Sequence, residues 1–299
     1  MKRLSIDVPA TSANLGPGFD TLAMALDLSD VFRVELADAE GDVVLSDPPA
    51  GIDPLDNLVC RAYRSYAPGL PAATFALEAK IPIGKGLGSS AGSILAGLAA
   101  AVVASGEKPD RARTLRQATD LEGHPDNVAA ALLGGLTVAF REGENVHAAH
   151  VATHLAMDVV VFTPEQPLPT TEARAIMPAH VDVSDAVFDI SRVAYLVTAL
   201  IWGRWDRIGA AMEDRIHQPY RERLIPALGP MMKEARVVGA YGAALSGGGP
   251  SVLALAPFGS GETVAKAMED VAQHHDWPGQ ARVLAVREDG MRVREEKPS

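Results

Sequence analysis

The residues best suited to chemistry lie in one short segment, residues 82–93, which reads PIGKGLGSSAGS. Its glycines leave room for backbone N–H groups to fold around a phosphate, and Lys85 adds a positive charge. An alanine-rich apolar run follows. This run predicts a helix starting at Ser89 or Ser90, whose free N–H groups and positive dipole end attract anions. The segment therefore predicts a phosphate cradle at a helix start, with a nucleotide as the expected ligand.

Two common nucleotide-binding patterns do not match this segment. The pattern G-x-x-x-x-G-K-[ST] is absent, because Lys85 is followed by Gly86. The pattern G-x-G-x-x-G also fails, because Ser89 stands where the last glycine is required. A dinucleotide-dependent oxidoreductase is therefore disfavoured, and the structural alternative is a glycine-rich turn before a core helix.

Further motifs follow in order along the chain. Two more small-residue loops lie near its ends, at residues 8–20 (VPATSANLGPGFD) and 245–251 (LSGGGPS). Shorter motifs lie between them, at residues 56–59 (DNLV), 122–129 (EGHPDNVA), 171–174 (TEAR) and 217–221 (HQPYR). This ordered set covers most of the chain and resembles the GHMP small-molecule kinases, most closely the homoserine kinases.

Hydrophobic patterning predicts strands and helices that are mixed without strict β–α–β alternation, which indicates an α+β fold. Strands are expected near residues 4–8, 31–36, 74–81, 136–140, 158–162, 237–241, 251–255 and 281–287. Helices are expected near residues 57–66, 89–105, 110–121, 126–134, 191–214 and 261–274. The resemblance implies a ribosomal-S5-like ATP-binding domain at residues 1–150 and a ferredoxin-like domain at residues 151–299.

Composition narrows the range of partners. The formal net charge of −11 disfavours nucleic acid and anionic membranes, which would be repelled. The longest apolar stretch, residues 94–104, is shorter than the ~20 residues that span a bilayer. The single cysteine, Cys60, fits a reducing compartment, and the first seven residues contain no apolar signal core. A cytoplasmic enzyme with a small-molecule substrate is expected, with a homodimer as one expected assembly.

The resemblance implies ATP as the phosphate donor and Mg²⁺ as its partner ion. The residues expected to bind ATP are Asn57, at the adenine edge, and Pro82, Gly84, Lys85, Gly86, Leu87, Gly88, Ser89 and Ser90. A hydroxyl of Ser89 or Ser90 would ligate Mg²⁺, and the resemblance favours Ser90. Mg²⁺ prefers hard oxygen ligands, so a carboxylate is expected as well. Asp120 and Glu122 both qualify, and the choice between them stays open.

The resemblance also implies L-homoserine as the substrate, phosphorylated on its hydroxyl in threonine biosynthesis. Arg174 and Arg221 look like a clamp for the substrate carboxylate, because guanidinium forks match carboxylates. The residues expected around the substrate ammonium are Asn14, Asp20 and His124.

The catalytic residues expected in this reading are Lys85, Asn127 and Asp126. Asn127 would orient the acceptor hydroxyl, and Asp126 would have a structural role, for example as a helix cap. The alternative is a purely structural role, in which Asp126 and Asn127 are both helix caps, a frequent use of these residue types. The alternative functions are another GHMP kinase with a different small alcohol, or a catalytically silent nucleotide-binding regulator.

Overall fold

The computed structural model describes residues 1–296. Its strands, numbered in chain order, are β1 (Lys2–Asn14), β2 (Gly18–Glu40), β3 (Val43–Ser46), β4 (Pro71–Glu78), β5 (Leu136–Glu142), β6 (Asn145–Ala152), β7 (Met157–Pro164), β8 (Gly242–Leu245), β9 (Val252–Pro257), β10 (Gly279–Leu284) and β11 (Arg292–Glu296). The α-helices are α1 (Leu58–Tyr66), α2 (Ser89–Ser105), α3 (Arg111–Glu122), α4 (Asp126–Leu133), α5 (Thr170–Ala175), α6 (Val183–Trp202), α7 (Ile208–Ala211), α8 (Gln218–Arg221), α9 (Leu228–Val237) and α10 (Gly261–His274).

The larger sheet has seven strands, in the order β11-β1-β2-β4-β3, with β5 beside β2 and β6 beside β5. Strand β2 is long enough to pair with β4 through residues 31–36 and with β5 through residues 22–24. The turn between β1 and β2, at residues 15–17, therefore sits at one end of a long antiparallel pair. This turn belongs to the first small-residue motif, so the sheet fixes where that motif lies.

The smaller sheet is antiparallel and has the order β10-β7-β9-β8. Helices α9 and α10 pack on it over a buried cluster that includes Met231, Val264 and Met268. The described strands and helices confirm the predicted α+β class. The domain boundary at residue 150 stays a prediction, and the chain returns to the larger sheet near its end, where β11 pairs with β1.

Helix α2 carries the cradle serines and is buried along most of its length. Its small residues allow close packing against α1, since a Cβ on Gly97 would lie 2.3 Å from the carbonyl oxygen of Val59. The same core cluster contains Ile94 and Leu98 from α2 and Phe75 from β4. The start of α2 is therefore held by a packed helix rather than by a free loop.

Several helices begin and end where the local sequence predicts. The predicted helices at 89–105 and 261–274 are confirmed. The side chain of Asp110 caps α3 by accepting from the N–H groups of residues 112 and 113, and Gly123 ends this helix with a left-handed φ of 93°.

Two predicted elements were wrong. The helix expected at 191–214 instead runs from Val183 to Trp202. It ends there because Gly203 takes a left-handed φ of 66°. The strand expected at 237–241 overlaps the end of α9 and a turn. Helical spacing wins there because Met231 and Ala235, four residues apart, bury one face of α9 against the smaller sheet.

Candidate active site

A cavity of about 410 Å³ lies where the small-residue loops meet. It is lined by the cradle and by the charged and amide side chains that the sequence assigned to the site: Asn14, Asp20, Asn57, Glu122, His124, Asp126, Asn127, Arg174 and Arg221. Asp120 is the one predicted site residue outside this lining. Residues far apart in the chain thus meet around one space large enough for small-molecule ligands.

Backbone contacts join the three small-residue loops around the cradle. The N–H of Thr11 donates to the carbonyl of Leu87 at 3.0 Å, and the N–H of Gly247 donates to the carbonyl of Ala13 at 3.0 Å. The hydroxyl of Ser246 donates to the carbonyl of Gly86 at 2.8 Å. The cradle is therefore supported from both sides by the motifs nearest the ends of the chain.

The cradle itself depends on glycine. Gly84, Gly86 and Gly88 all have left-handed φ angles, between 69° and 72°. A Cβ on Gly86 would lie 2.3 Å from the carbonyl oxygen of Ser246, and one on Gly88 would lie 1.9 Å from the hydroxyl of Thr11. These close approaches explain why glycine is needed at Gly86 and Gly88. Gly88 also places the first free N–H groups of α2 at the cavity.

Lys85 is buried at 9% exposure rather than solvated. Its ammonium donates to the carbonyl oxygen of Glu165, and burial lowers its pKa. A buried cation that lines a cavity next to free N–H groups favours an anionic ligand there.

Ser90 and Glu122 form the oxygen-rich part of the cavity. The Ser90 hydroxyl donates to a Glu122 carboxylate oxygen at 2.6 Å. Burial raises the pKa of Glu122, although the Ser90 hydrogen bond and His124 oppose this. Asp120 stands on the exposed side of α3 and forms an ion pair with Arg141. Of the two candidate carboxylates, Glu122 alone lies in the cavity, and its role as a metal ligand stays a prediction.

His124, Asp126 and Asn127 surround the start of α4. The Nδ1 atom of His124 lies 2.5 Å from a carboxylate oxygen of Asp126, which also accepts from the backbone N–H of Asn127 at 2.7 Å. Burial opposes protonation of His124, but the carboxylates of Asp126 and Glu122 together favour it, so the pKa of His124 is raised. The cap position of α4 belongs to Pro125, so the suggestion that Asp126 is the cap is wrong.

The side-chain oxygen of Asn127 is already occupied. It accepts from the hydroxyl of Thr11 at 2.7 Å. This bond fixes the orientation of the amide, and its nitrogen, at 3.4 Å from Asp126, is the part left to meet a ligand. Thr11 was not among the predicted site residues, although it lies inside the first motif.

Asn57 lines the cavity, but its side chain is committed to helix α1. Its oxygen accepts from the N–H of Cys60 at 3.1 Å, and its nitrogen donates to the carbonyls of Asp53 and Pro54. Both amide hydrogens are therefore engaged. This geometry disfavours the predicted direct contact with an adenine edge and favours a role in shaping the cavity wall.

Asp20 and Arg174, predicted to bind opposite ends of a zwitterion, are paired with each other. The two Nη atoms of Arg174 donate to the two carboxylate oxygens of Asp20 at 3.1 and 2.8 Å. Asn14 fixes the loop beneath them, since its side-chain oxygen accepts from the N–H of Asp20 and its nitrogen donates to the carbonyl of Gly247.

Arg221 lies deeper than Arg174 and is 2% exposed. Its Nε atom donates to the carbonyl of Ala173 and its Nη1 atom to the carbonyl of Gly247, each at 3.2 Å. Burial, followed by the charge of Arg174, lowers the pKa of Arg221 to about 10. The sequence placed both arginines in the site but gave no sign of their different depths.

The donor atoms of Asp20, His124 and Asp126 lie within 4.8 Å of one another, which is close enough to hold a metal ion. The guanidinium of Arg174 already binds both oxygens of Asp20, however. This positive charge, already paired with one member, makes the cluster a poorer site for a divalent ion.

The chain has the fold of the GHMP kinases and matches the models of both their domains. The GHMP kinases N terminal domain matches residues 57–135, and the GHMP kinases C terminal domain matches residues 196–274. The chain belongs, within this class, to the homoserine kinase family. It is 40% identical to a homoserine kinase of Desulfitobacterium hafniense over 96% of this chain and 99% of that one.

Other relatives agree with this placement. A homoserine kinase of Clavibacter michiganensis is 40% identical over 98% of this chain and 94% of its own. The crystal structure of a homoserine kinase from Cytophaga hutchinsonii is 29% identical, with a TM-score of 0.88 over 98% of this chain and 97% of that one. The predicted family and the predicted two-domain GHMP kinase fold are both confirmed.

Proposed function

We propose that this protein transfers the γ-phosphoryl group of ATP to the side-chain hydroxyl of L-homoserine, giving O-phospho-L-homoserine for threonine biosynthesis. The observation that carries the proposal is the arrangement of one cavity. A glycine cradle at a helix start lines one side, and two arginines with a carboxylate line the other. This arrangement fits a nucleotide phosphate facing an amino acid that carries both charges.

The cradle side is suited to the triphosphate. Phosphoryl transfer depends mainly on positioning and charge stabilisation. The backbone N–H groups of residues 86–90 donate to phosphate oxygens, and the N-terminal end of α2 adds its positive dipole. Lys85 adds a positive charge. Its burial strengthens the attraction between this charge and a phosphate, because the surroundings are poorly polarisable.

The residues present fit Mg²⁺. Ser90 and Glu122 supply a hydroxyl and a carboxylate that already lie 2.6 Å apart, and hard oxygen donors are the ligands this ion prefers. Bound Mg²⁺ would neutralise phosphate charge and help fix the transferring group. Burial raises the pKa of Glu122, and a bound cation would act against this by favouring the charged carboxylate.

The other side of the cavity is suited to the amino-acid part of homoserine. Arg221 can donate to the substrate carboxylate through Nη2, because its Nε and Nη1 atoms already donate within the protein. Arg174 can donate through the N–H groups that do not bind Asp20. A carboxylate has about four acceptor positions, so Asp20 can accept from the substrate ammonium while it stays paired with Arg174. Asn14 and His124 complete this part of the site.

Asn127 is placed to orient the substrate hydroxyl. Thr11 holds its side-chain oxygen, so its amide nitrogen is presented in a fixed direction. Asp126 holds His124 and the backbone of Asn127, so we assign it a positioning role.

An ADP-release assay tests the proposal directly. The protein is incubated with ATP, Mg²⁺ and either L-homoserine, mevalonate, galactose or serine. Homoserine should give by far the highest kcat/KM. A preference for another alcohol would point to a different GHMP kinase, and ATP binding without ADP release on any of them would point to a nucleotide-binding regulator.

We also propose that the protein forms a homodimer through helix α6. An exposed apolar stripe, formed by Val183, Val187, Ile190 and Ile201, follows helical spacing on one face. The helix starts beside Asp182 and ends beside Arg204, so an antiparallel second copy would pair opposite charges and opposed helix dipoles.

Light scattering after gel filtration tests the dimer. The double variant Val187→Glu, Ile190→Glu should be monomeric at concentrations where the wild type is dimeric. Phe258→Glu is the matched control, because Phe258 is 81% exposed and lies outside α6. A monomeric wild type would rule out this assembly.

No helix within residues 1–296 is long and apolar enough to cross a membrane. We place the reaction in the cytoplasm, where ATP is available and where a free thiol such as that of Cys60 stays reduced.

A further inference from the structure

Behind the arginine side of the cavity, four buried polar side chains follow one another from α6 to α8: Asp189, Asp214, His217 and Arg221. The Asp214 carboxylate accepts from the backbone N–H groups of residues 216, 217 and 218. One of its oxygens lies 3.5 Å from Nε2 of His217. Buried polar groups are expensive unless they are paired, so this row calls for an explanation.

The partners of His217 fix its protonation state. Its Nε2 atom lies 2.8 Å from the carbonyl oxygen of Gly16, which can only accept a hydrogen bond. Its Nδ1 atom lies 3.0 Å from Nη1 of Arg221, which can only donate. The hydrogen must therefore be on Nε2, and Nδ1 must present a lone pair, so the ring is neutral.

The surroundings of the ring support this neutral form. Burial lowers the pKa of His217 and the charge of Arg221 lowers it further, while Asp214 works in the opposite direction. The ring of Phe19 stacks on the imidazole at a centroid distance of 5.3 Å. The guanidinium of Arg221 lies 5.3 Å from the centroid of the same Phe19 ring. His217 and Arg221 are thus held against one aromatic surface.

Of the three acceptors described for Arg221, only that of His217 is a side-chain atom. The other two acceptors are the backbone carbonyls of Ala173 and Gly247, which the fold fixes whatever their side chains are. The three bonds use Nε and both hydrogens of Nη1, so Nη2 is the part of the guanidinium left to meet a ligand. A long arginine side chain has many rotamers, so the added side-chain acceptor narrows the directions in which Nη2 can point. His217 belongs to one of the motifs quoted from the sequence, but no role was predicted for it.

We infer that His217 is a positioning residue for Arg221. The unprotonated Nδ1 of His217 accepts from Arg221 and directs the guanidinium toward the substrate carboxylate, and it thereby sets the affinity for substrates that carry a carboxylate. This inference rests on the proposed function, since it takes the carboxylate of homoserine to be the group that Arg221 binds. His217 itself acts through Arg221 and does not need to touch the substrate.

Two substitutions separate the contributions of the hydrogen bonds made by the two ring nitrogens of His217. In His217→Asn, the amide oxygen can stand near the position of Nδ1 and still accept from Arg221, while the bond to Gly16 is lost. In His217→Gln, the amide nitrogen can reach the position of Nε2 and still donate to Gly16, while the acceptor for Arg221 is lost. His154→Gln, at an exposed histidine, is the control for the substitution itself.

The readout is KM and kcat for L-homoserine, KM for ATP, and kcat/KM for 3-aminopropan-1-ol, which is homoserine without its carboxylate. His217→Gln should raise KM for homoserine roughly 10-fold to 100-fold, the range expected for one lost hydrogen bond to a charged group. KM for ATP and kcat/KM for 3-aminopropan-1-ol should stay near the wild-type values. His217→Asn should keep most of the homoserine affinity.

Other outcomes would overturn the inference. If both variants weaken homoserine and 3-aminopropan-1-ol use equally, in step with a lower melting temperature, His217 is a core residue without a positioning role. If wild-type enzyme uses the two alcohols equally well, the proposed function is wrong, and that result is visible before any variant is made.

The wild-type protein provides a test that does not depend on a variant folding well. With ¹⁵N-labelled histidine, NMR should show one buried imidazole with a protonated Nε2 and a bare Nδ1. Loss of this signal in His217→Asn or His217→Gln assigns it. A hydrogen on Nδ1 of His217 in the folded protein would overturn the inference.

Discussion

The two sides of the cavity are built by different means. The cradle is one contiguous stretch, Gly84 to Ser90, whose shape depends on backbone angles and on the absence of side chains. The arginine side collects Asp20, Arg174 and Arg221 from distant parts of the chain and holds them by side-chain hydrogen bonds. The cradle should therefore be sensitive to any added Cβ, and the arginine side to small changes in side-chain geometry.

The largest effect is expected where the cradle meets its carboxylate. Glu122→Ala removes the acceptor of the Ser90 hydroxyl and the carboxylate proposed for Mg²⁺. The kcat of ADP release should fall by about 100-fold to 1000-fold, the usual loss when one charge-stabilising group is removed. Raising the Mg²⁺ concentration should recover part of it.

Asp120→Ala is the matched control for Glu122→Ala, two residues away on the same helix. Asp120 is exposed and pairs with Arg141 on the surface, so the variant should stay within about twofold of wild type, in line with the small energies of surface ion pairs. Two variants with near-wild-type activity would remove α3 from the metal site.

Sequence reasoning handled these two sides unequally. The cradle could be predicted because glycine spacing and the start of α2 are local signals. The choice between Asp120 and Glu122 could not, because it depends on which face of α3 turns inward. The pairing of Asp20 with Arg174, 154 residues apart, depends on tertiary contacts that no local pattern encodes.

The fold shows the same division. Helices with clear local ends, such as α2 and α10, matched their predicted bounds. Helix α6 did not, because an apolar face that continues past Gly203 resembles one long helix until the left-handed glycine is seen. Residues 237–241 resembled a strand because two valines adjoin, whereas burial of Met231 and Ala235 keeps the preceding segment helical.

The second largest effect should follow from a single methyl group in the cradle. Gly86→Ala places a Cβ 2.3 Å from the carbonyl oxygen of Ser246, which is backbone and cannot move aside cheaply. Overpacking of this kind costs about 1–3 kcal/mol beyond the cost of the left-handed angle. The midpoint of thermal unfolding should fall, and its increase on adding ATP should shrink.

Gly84→Ala isolates the clash from the backbone strain. Gly84 has the same left-handed conformation, with a φ of 69°, but its added Cβ would meet the Cβ of Pro167 at an ordinary 3.6 Å. This variant should lose only the strain contribution. Equal losses at the two glycines would mean that backbone angle alone, and not the close approach of the two loops, shapes the cradle.

A smaller effect is expected on the arginine side. Arg174→Lys keeps the charge but loses the planar fork that binds both oxygens of Asp20. KM for homoserine should rise roughly 10-fold, the order expected for one hydrogen bond to a charged group, with KM for ATP unchanged. Arg223→Lys, at an exposed arginine of the same region, should leave both constants unchanged. A rise in KM for ATP in Arg174→Lys would contradict the separation of the two sides.

The last prediction concerns the buried carboxyl behind the arginine side, and it affects stability rather than activity. Burial, together with the neighbouring Asp214, raises the pKa of Asp189 to about 7, and Arg192 opposes this. The folded protein therefore keeps a proton on Asp189 at pH values where the unfolded chain, with an ordinary pKa of 3.8, has lost it. The unfolding free energy should decrease as pH rises from about 4 to 7, by at most about 1.4 kcal/mol per pH unit from this group.

Asp189→Asn removes the titration with little change in side-chain size, so it should flatten this part of the pH dependence. Urea unfolding at pH 5, 6, 7 and 8 measures the difference between variant and wild type. The comparison with wild type matters because Asp214 and His217 also titrate with shifted pKa values, both lowered, and act in both proteins. Asp182→Asn, at the exposed start of the same helix, should keep the wild-type slope. Parallel curves for Asp189→Asn and wild type would mean that Asp189 is charged in the folded protein. The backbone N–H of Arg215 and the charge of Arg192 would then stabilise it, without a proton shared with Asp214.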